Sequence, residues 1–122
     1  MANHSDTEVR ELLLSQGEIG ALKKAIMYLK FSCEETESLL YAGSPLINSV
    51  LKKLLDIDDL GMQAKEFYEK QHEPNELFIL SKIDRLEKEM GKVIDGAMKQ
   101  EAFKECIFPF PSRNKMTPGF KP

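Results

Sequence analysis

Apolar residues between Ile79 and Ala97 recur in alternating steps of four and three, the spacing that aligns side chains along one face of a helix. Pro74 suits the first position of a helix, whereas Pro109 and Pro111 forbid continuation of a helix beyond Ile107. The pattern therefore predicts one helix from Pro74 to about Ile107, which would be roughly 50 Å long. The apolar seam on this helix consists of Ile79, Ile83, Leu86, Met90, Val93 and Ala97.

A seam of this kind has two interpretations. It covers about three heptads, near the minimum for a coiled coil, because the next core position falls on the polar Gln100. Leu80 and Ile94 widen the apolar stripe, which is typical of a helix in a bundle core. We favour the bundle core and keep an intermolecular coiled coil as the alternative.

Capping patterns predict where the other helices begin. Ser5 with Glu8, and Ser32 with Glu35, have the form of capping boxes, so one helix should start near Ser5 and a short one should cover 33–42. Ser44 followed by Pro45 predicts a third helix, because serine caps a helix start and proline fits its first position. A fourth helix is expected over about 57–71, and the acidic residues 56–59 form the connector and the start of this helix.

The predicted fold is therefore all-α. We expect a single-domain bundle of four or five helices over residues 1–107, ending in the long helix, and an extended or disordered proline-rich tail over 108–122. A hydrophobic content of 42% and a charged content of 30% are ordinary for a globular helical protein of this length.

Catalytic and metal-binding patterns are absent from the sequence. It contains no phosphate-binding loop, dinucleotide fingerprint or nucleophile elbow, and Asp56, Asp58 and Asp59 lack the glycine and closing glutamate of a calcium loop. Cys33 and Cys106 fit no metal spacing, and we expect them to be reduced and buried, although they could form one disulfide if the fold brought them together. We therefore expect a non-enzymatic protein with no cofactor, metal ion or small-molecule substrate.

The sequence also bears on location. Residues 1–7 lack the basic start and apolar run of a signal peptide, and no apolar run approaches the length needed to cross a bilayer. We therefore expect a cytoplasmic protein that neither spans nor binds a membrane.

Two classes of partner remain. Residues 34–55 read as helix, turn and helix, so Asn48, Ser49, Lys52 and Lys53 are candidate DNA contacts of a helix-turn-helix regulator. A net charge of −3 and the absence of a basic stripe make nucleic acid the unlikely alternative.

The preferred expectation is a protein-binding module of the adaptor, regulator or chaperone type, whose partner is another protein or a second copy of the chain. Its candidate contact residues are five from the seam and the aromatic residues of the tail: Ile79, Ile83, Leu86, Met90, Val93, Phe108, Phe110 and Phe120. The aromatic residues could instead close the end of the bundle core, and the sequence favours neither role.

Overall fold

The computed structural model describes residues 8–112, and every regular element among them is helical. The elements are α1 (Gln16–Phe31), a 3₁₀ helix (Thr36–Ser38), α2 (Leu39–Ala42), α3 (Pro45–Ile57), α4 (Gly61–Tyr68), α5 (Glu73–Met90) and α6 (Gly96–Ile107). Within this part of the chain, no helix is both long enough and apolar enough to cross a membrane. The all-α prediction is confirmed, but the described residues contain six α-helices instead of the four or five predicted.

Side-chain caps mark the start of four of these helices, and His72 is the cap of α5. The predicted cap of α3 is confirmed, because the Ser44 hydroxyl accepts a hydrogen bond from the Ile47 N–H at 3.2 Å and Pro45 takes the first helical position. Ser15 and Glu18 form a reciprocal capping box at the start of α1. Asp95 accepts from the N–H groups of Ala97 and Met98 at the start of α6.

The prediction of one long C-terminal helix is wrong. Helix α5 ends at Met90, and Gly91 takes a left-handed conformation with φ of 73°, which glycine adopts without steric cost. The N–H groups of Gly91 and Lys92 then bond to the carbonyl of Glu87, closing the helix end. The chain turns over residues 91–95 and returns as α6, which packs against α5. Two helices of ordinary length thus replace the 50 Å helix.

Other predicted boundaries also differ. Residues 8–15 are not helical and Ser5 lies outside the described residues, so the first helix begins at the Ser15 capping box instead. The Ser32 and Glu35 capping box does not form, and residues 33–35 precede the 3₁₀ helix instead of opening an α-helix. Helix α4 is shorter than expected, because Asp58 to Leu60 form a turn before Gly61.

The core has two adjoining clusters of buried side chains. The first gathers residues from α2, α5, α6 and the chain after α6: Ala42, Ile79, Ile83, Phe103, Cys106, Ile107 and Phe110. The second lies between α1 and α3 and contains Ile19, Ile26, Leu51 and Leu54. Met27 packs against both, so α1 joins the two halves of the core.

The proline-rich region does not leave the bundle at residue 108 as predicted. Phe110 is buried and its ring makes edge contacts with Phe31, Phe67 and Tyr68, at centroid distances of 5.5, 5.7 and 5.2 Å. The Phe110 N–H bonds to the carbonyl of Ile107 at 2.9 Å, which turns the chain back onto the core. The start of the predicted tail is therefore packed structure, because burial of an aromatic ring outweighs extension into water.

Candidate protein-binding groove

An open apolar groove lies between two walls, one formed by the 3₁₀ helix with α2 and the other by the hairpin of α5 and α6. Its volume is about 450 Å³, a size common for sites that receive part of a ligand. The lining residues are Thr36, Glu37, Leu39, Leu40, Gly43, Ile83, Leu86, Ile94, Ala102 and Cys106. Because most of them are aliphatic, the groove suits apolar side chains.

The floor of the groove depends on a close approach between Gly43 and Cys106. A Cβ atom placed on Gly43 would lie 3.2 Å from the Cys106 Sγ atom, tighter than an ordinary contact. Burial raises the pKa of the Cys106 thiol to about 11, so this sulfur is protonated at neutral pH. The thiol therefore behaves as a small apolar surface rather than as a nucleophile.

The rim of the groove combines one polar link with exposed aliphatic residues. The Thr36 hydroxyl donates a hydrogen bond to a Glu89 carboxylate oxygen at 2.7 Å, which ties the 3₁₀ helix to α5. Leu40 on the facing wall is 72% exposed, and both Met90, the last residue of α5, and Val93 in the following turn are exposed. Exposed aliphatic side chains beside an apolar groove are a feature of protein-binding surfaces.

The predicted seam is divided among these environments. Ile79 and Ile83 are buried in the core of their own chain, although Ile83 also forms part of the groove wall. Leu86 lines the groove, whereas Met90 and Val93 are exposed beyond it. The residues do not form one continuous exposed face, because the chain reverses at Gly91 before the seam is complete.

The aromatic candidates have separate positions. Phe110 is buried in the aromatic cluster described above, whereas Phe108 is half-buried and packs against the second core cluster. Phe120 lies outside the described residues.

The candidate DNA contacts are only partly exposed. Asn48 is buried, and its side-chain amide donates hydrogen bonds of 2.9 Å to the backbone carbonyl and the carboxylate of Glu105. Ser49, Lys52 and Lys53 are exposed. The expectation that Asn48 points outward is wrong, because it joins α3 to the C-terminal end of α6.

Sequence reasoning missed two fully buried lysines. The Lys30 ammonium donates hydrogen bonds to the carbonyls of Ala42, Glu105 and Cys106, at 2.7, 3.0 and 3.3 Å. These carbonyls belong to the ends of α2 and α6, where the last residues of a helix lack an intrahelical donor. Burial lowers the pKa of Lys30 to about 8, although electrostatic interactions with the nearby Cys106 and Glu105 offset part of that effect.

Lys82 also binds backbone carbonyls at a helix end, in this case the C-terminal end of α1. Its ammonium donates to the carbonyls of Leu29 and Cys33, at 3.2 and 2.7 Å, and to the Ser38 hydroxyl at 2.7 Å. Burial lowers the pKa of this lysine as well. The two lysines hold α2 and the 3₁₀ helix, which form one wall of the groove, against the rest of the bundle. The sequence carried one signal for this burial. Lys30 lies three and four residues after Met27 and Ile26, which places it on the apolar face of α1.

Comparisons of the chain with protein families, with curated proteins and with solved structures found no match. Among residues 8–112, no group of three or more histidine, cysteine or acidic side chains is placed to hold a metal ion.

Proposed function

We propose that this protein is a small non-enzymatic binding module of the adaptor, regulator or chaperone type, and that it receives an apolar segment of another protein in the groove. The single observation that carries the proposal is an open apolar groove of about 450 Å³ with aliphatic walls and an exposed leucine at its rim. Such grooves bind amphipathic helices through apolar anchors spaced at three and four residues.

The polar residues of the groove support this class of function. Thr36 already bonds to Glu89, and Glu37 lies at the rim, so the floor presents aliphatic groups and a protonated thiol. Binding energy at such a surface comes mainly from burying apolar area, about 25 cal/mol for each Å². A helix that inserts two or three aliphatic side chains has the right shape and chemistry.

A displayed library of random peptides tests the proposal with no assumption about the natural partner. We expect peptides selected on the wild-type protein to carry apolar residues at helical spacing and to lose binding to the Leu40→Glu variant. Leu77→Glu is the matched control, since Leu77 is also an exposed leucine but lies nine residues before Leu86, on the opposite side of α5.

Binding is then measured by fluorescence anisotropy for the selected peptides. Peptides that bind wild type and the Leu77→Glu variant equally, but bind the Leu40→Glu variant at least tenfold more weakly, support the groove as the site. Failure to enrich any peptide, or equal binding to all three proteins, would overturn the proposal.

A further inference from the structure

The N-terminal segment, residues 8–14, exposes an apolar stripe that the bundle does not use. Val9, Leu12 and Leu13 are 87, 75 and 92% exposed, which is unusual for three aliphatic residues so close in sequence. On a helix these three side chains would fall within about 100° of one another, forming a narrow face. In the single chain the segment is not helical, and its three aliphatic side chains are exposed to solvent.

We infer that this segment occupies the groove of a second copy of the chain and becomes helical there, so that two copies exchange segments. The inference rests on the proposed function of the groove and names its occupant. The segment supplies aliphatic residues at the three-and-four spacing that the groove accepts, and the groove supplies the apolar surface that the segment lacks.

Geometry excludes the groove of the same chain. Helix α1 has 16 residues, so its two ends lie about 24 Å apart, and α2 bonds to Lys30 near the end remote from the segment. Leu14 packs against the second core cluster, which leaves residues 8–13 to cover that distance. As a helix they would extend only about 9 Å. A second copy has no such restriction, and reciprocal exchange gives a closed, symmetric dimer.

Charges on the two surfaces match in one orientation. On a helical segment, Arg10 and Glu8 would flank the apolar stripe on opposite sides, about 100° from its centre. Glu37 of the 3₁₀ helix lines the groove, and the exposed Lys92 lies in the turn after α5, two residues before the lining residue Ile94. Arg10 therefore faces Glu37 when Glu8 faces Lys92. The exposed contact of 3.5 Å between Arg10 and Glu8 in the single chain is weak enough to be exchanged for these pairs.

Sedimentation velocity across the micromolar range tests the inference with full-length protein. We expect wild type and the Leu77→Glu control to form dimers, whereas the Leu12→Glu/Leu13→Glu variant and the Leu40→Glu variant stay monomeric. Because the substituted leucines are exposed, circular dichroism and thermal unfolding should show that each variant folds.

A mixture of the two defective variants provides the decisive measurement. The Leu12→Glu/Leu13→Glu variant has an intact groove, and the Leu40→Glu variant has an intact segment. Together they should form a heterodimer in which one segment occupies one groove. The paired reversals Arg10→Glu and Glu37→Lys should each weaken the wild-type dimer, and together they should restore part of the lost affinity.

Outcomes that would overturn the inference are separable from failure of the proposed function. A wild-type chain that is monomeric throughout, or dimers that survive both sets of leucine substitutions, would refute the segment exchange. If selected peptides still bind in a Leu40-dependent way, the groove remains a binding site for another protein. If peptides and dimers are both absent, the groove is not a binding site.

Discussion

The Nζ atom of Lys30 lies 2.7 Å from the carbonyl oxygen of Ala42, and this bond ties the end of α2 to α1 beneath the groove. Helix α2 has only four residues, too few to be stable by itself in water. The position of one groove wall therefore depends on a buried ammonium that satisfies carbonyls of two helices.

We expect Lys30→Met to destabilise the fold by several kcal/mol. The Glu105 carbonyl keeps its bond from Asn48, but the carbonyls of Ala42 and Cys106 lose their lysine donor, at about 1–3 kcal/mol for each buried unsatisfied group. Urea unfolding measures the loss, with Lys24→Met as the control because Lys24 is exposed on the same helix. Equal stability of the two variants would contradict a capping role for Lys30.

The same lysine predicts a dependence of stability on pH. Its pKa is about 8 in the folded protein against 10.5 ordinarily, so above pH 8 the unfolded chain binds more protons at this site. Stability rises with pH wherever the unfolded state binds more protons. From about pH 8 to 9, the stability of wild type relative to Lys30→Met should therefore increase by up to about 1 kcal/mol. A relative stability that falls over this interval would contradict a lowered pKa of Lys30 in the folded protein.

The two thiols should differ in reactivity. Cys33 is half-buried, whereas Cys106 is buried and its pKa is raised to about 11, so little of its thiolate exists near neutral pH. We expect a thiol reagent such as Ellman's to modify one cysteine of the folded protein rapidly and the other only after denaturation. The fast reaction should disappear in Cys33→Ser and persist in Cys106→Ser. Equal rates for both thiols would show that the groove floor opens readily.

Asp58→Asn should destabilise the connection between α1 and α3. The Asp58 carboxylate accepts hydrogen bonds from Lys23 and Gln16, and these bonds lower its pKa to about 2 from 3.8. The stabilisation is complete above about pH 4 and lost as the pH falls through 2. We expect a loss of about 1.5–3 kcal/mol at pH 7 that narrows at low pH.

Thermal and urea unfolding across this pH range measure the effect. Asp56→Asn is the control, because the pair between Asp56 and Lys52 is exposed and contributes little. A difference between wild type and Asp58→Asn that stays constant from neutral to acid pH would argue against the buried ion pair as its cause.

Truncations divide the proline-rich region at residue 112. We expect Phe110→Ala to cost about 3–5 kcal/mol, as for other buried aromatic residues, and the half-buried Phe108 to cost less when changed to alanine. Deletion of 112–122 should leave the unfolding midpoint nearly unchanged, whereas deletion from 108 removes Phe110 and should unfold the protein. Equal destabilisation by both deletions would show that the whole region is structural.

Local sequence chemistry determined the helical class and some of its boundaries. Ser44 and Pro45 predicted the start of α3 correctly, because a side-chain cap and a fixed φ act within a few residues. Gly91 and Asp95 carried equally local signals for the break between α5 and α6, as did Ser15 and Glu18 for the start of α1. The signals at Gly91 and Asp95 did not lead to a predicted break, because the apolar spacing of the seam continues through these residues.

Only the tertiary structure decided which residues form the candidate site. Lys30 and Lys82 are buried because carbonyls from distant helix ends converge on them, at separations of up to 76 residues in sequence. Asn48 turns inward to Glu105 for the same reason. Leu40 and Leu86 line opposite walls of the groove, and the close approach of Gly43 to Cys106, which also line it, joins residues far apart in sequence. Helical periodicity predicts which face of a helix is apolar, but the choice of neighbour depends on packing between segments far apart in sequence.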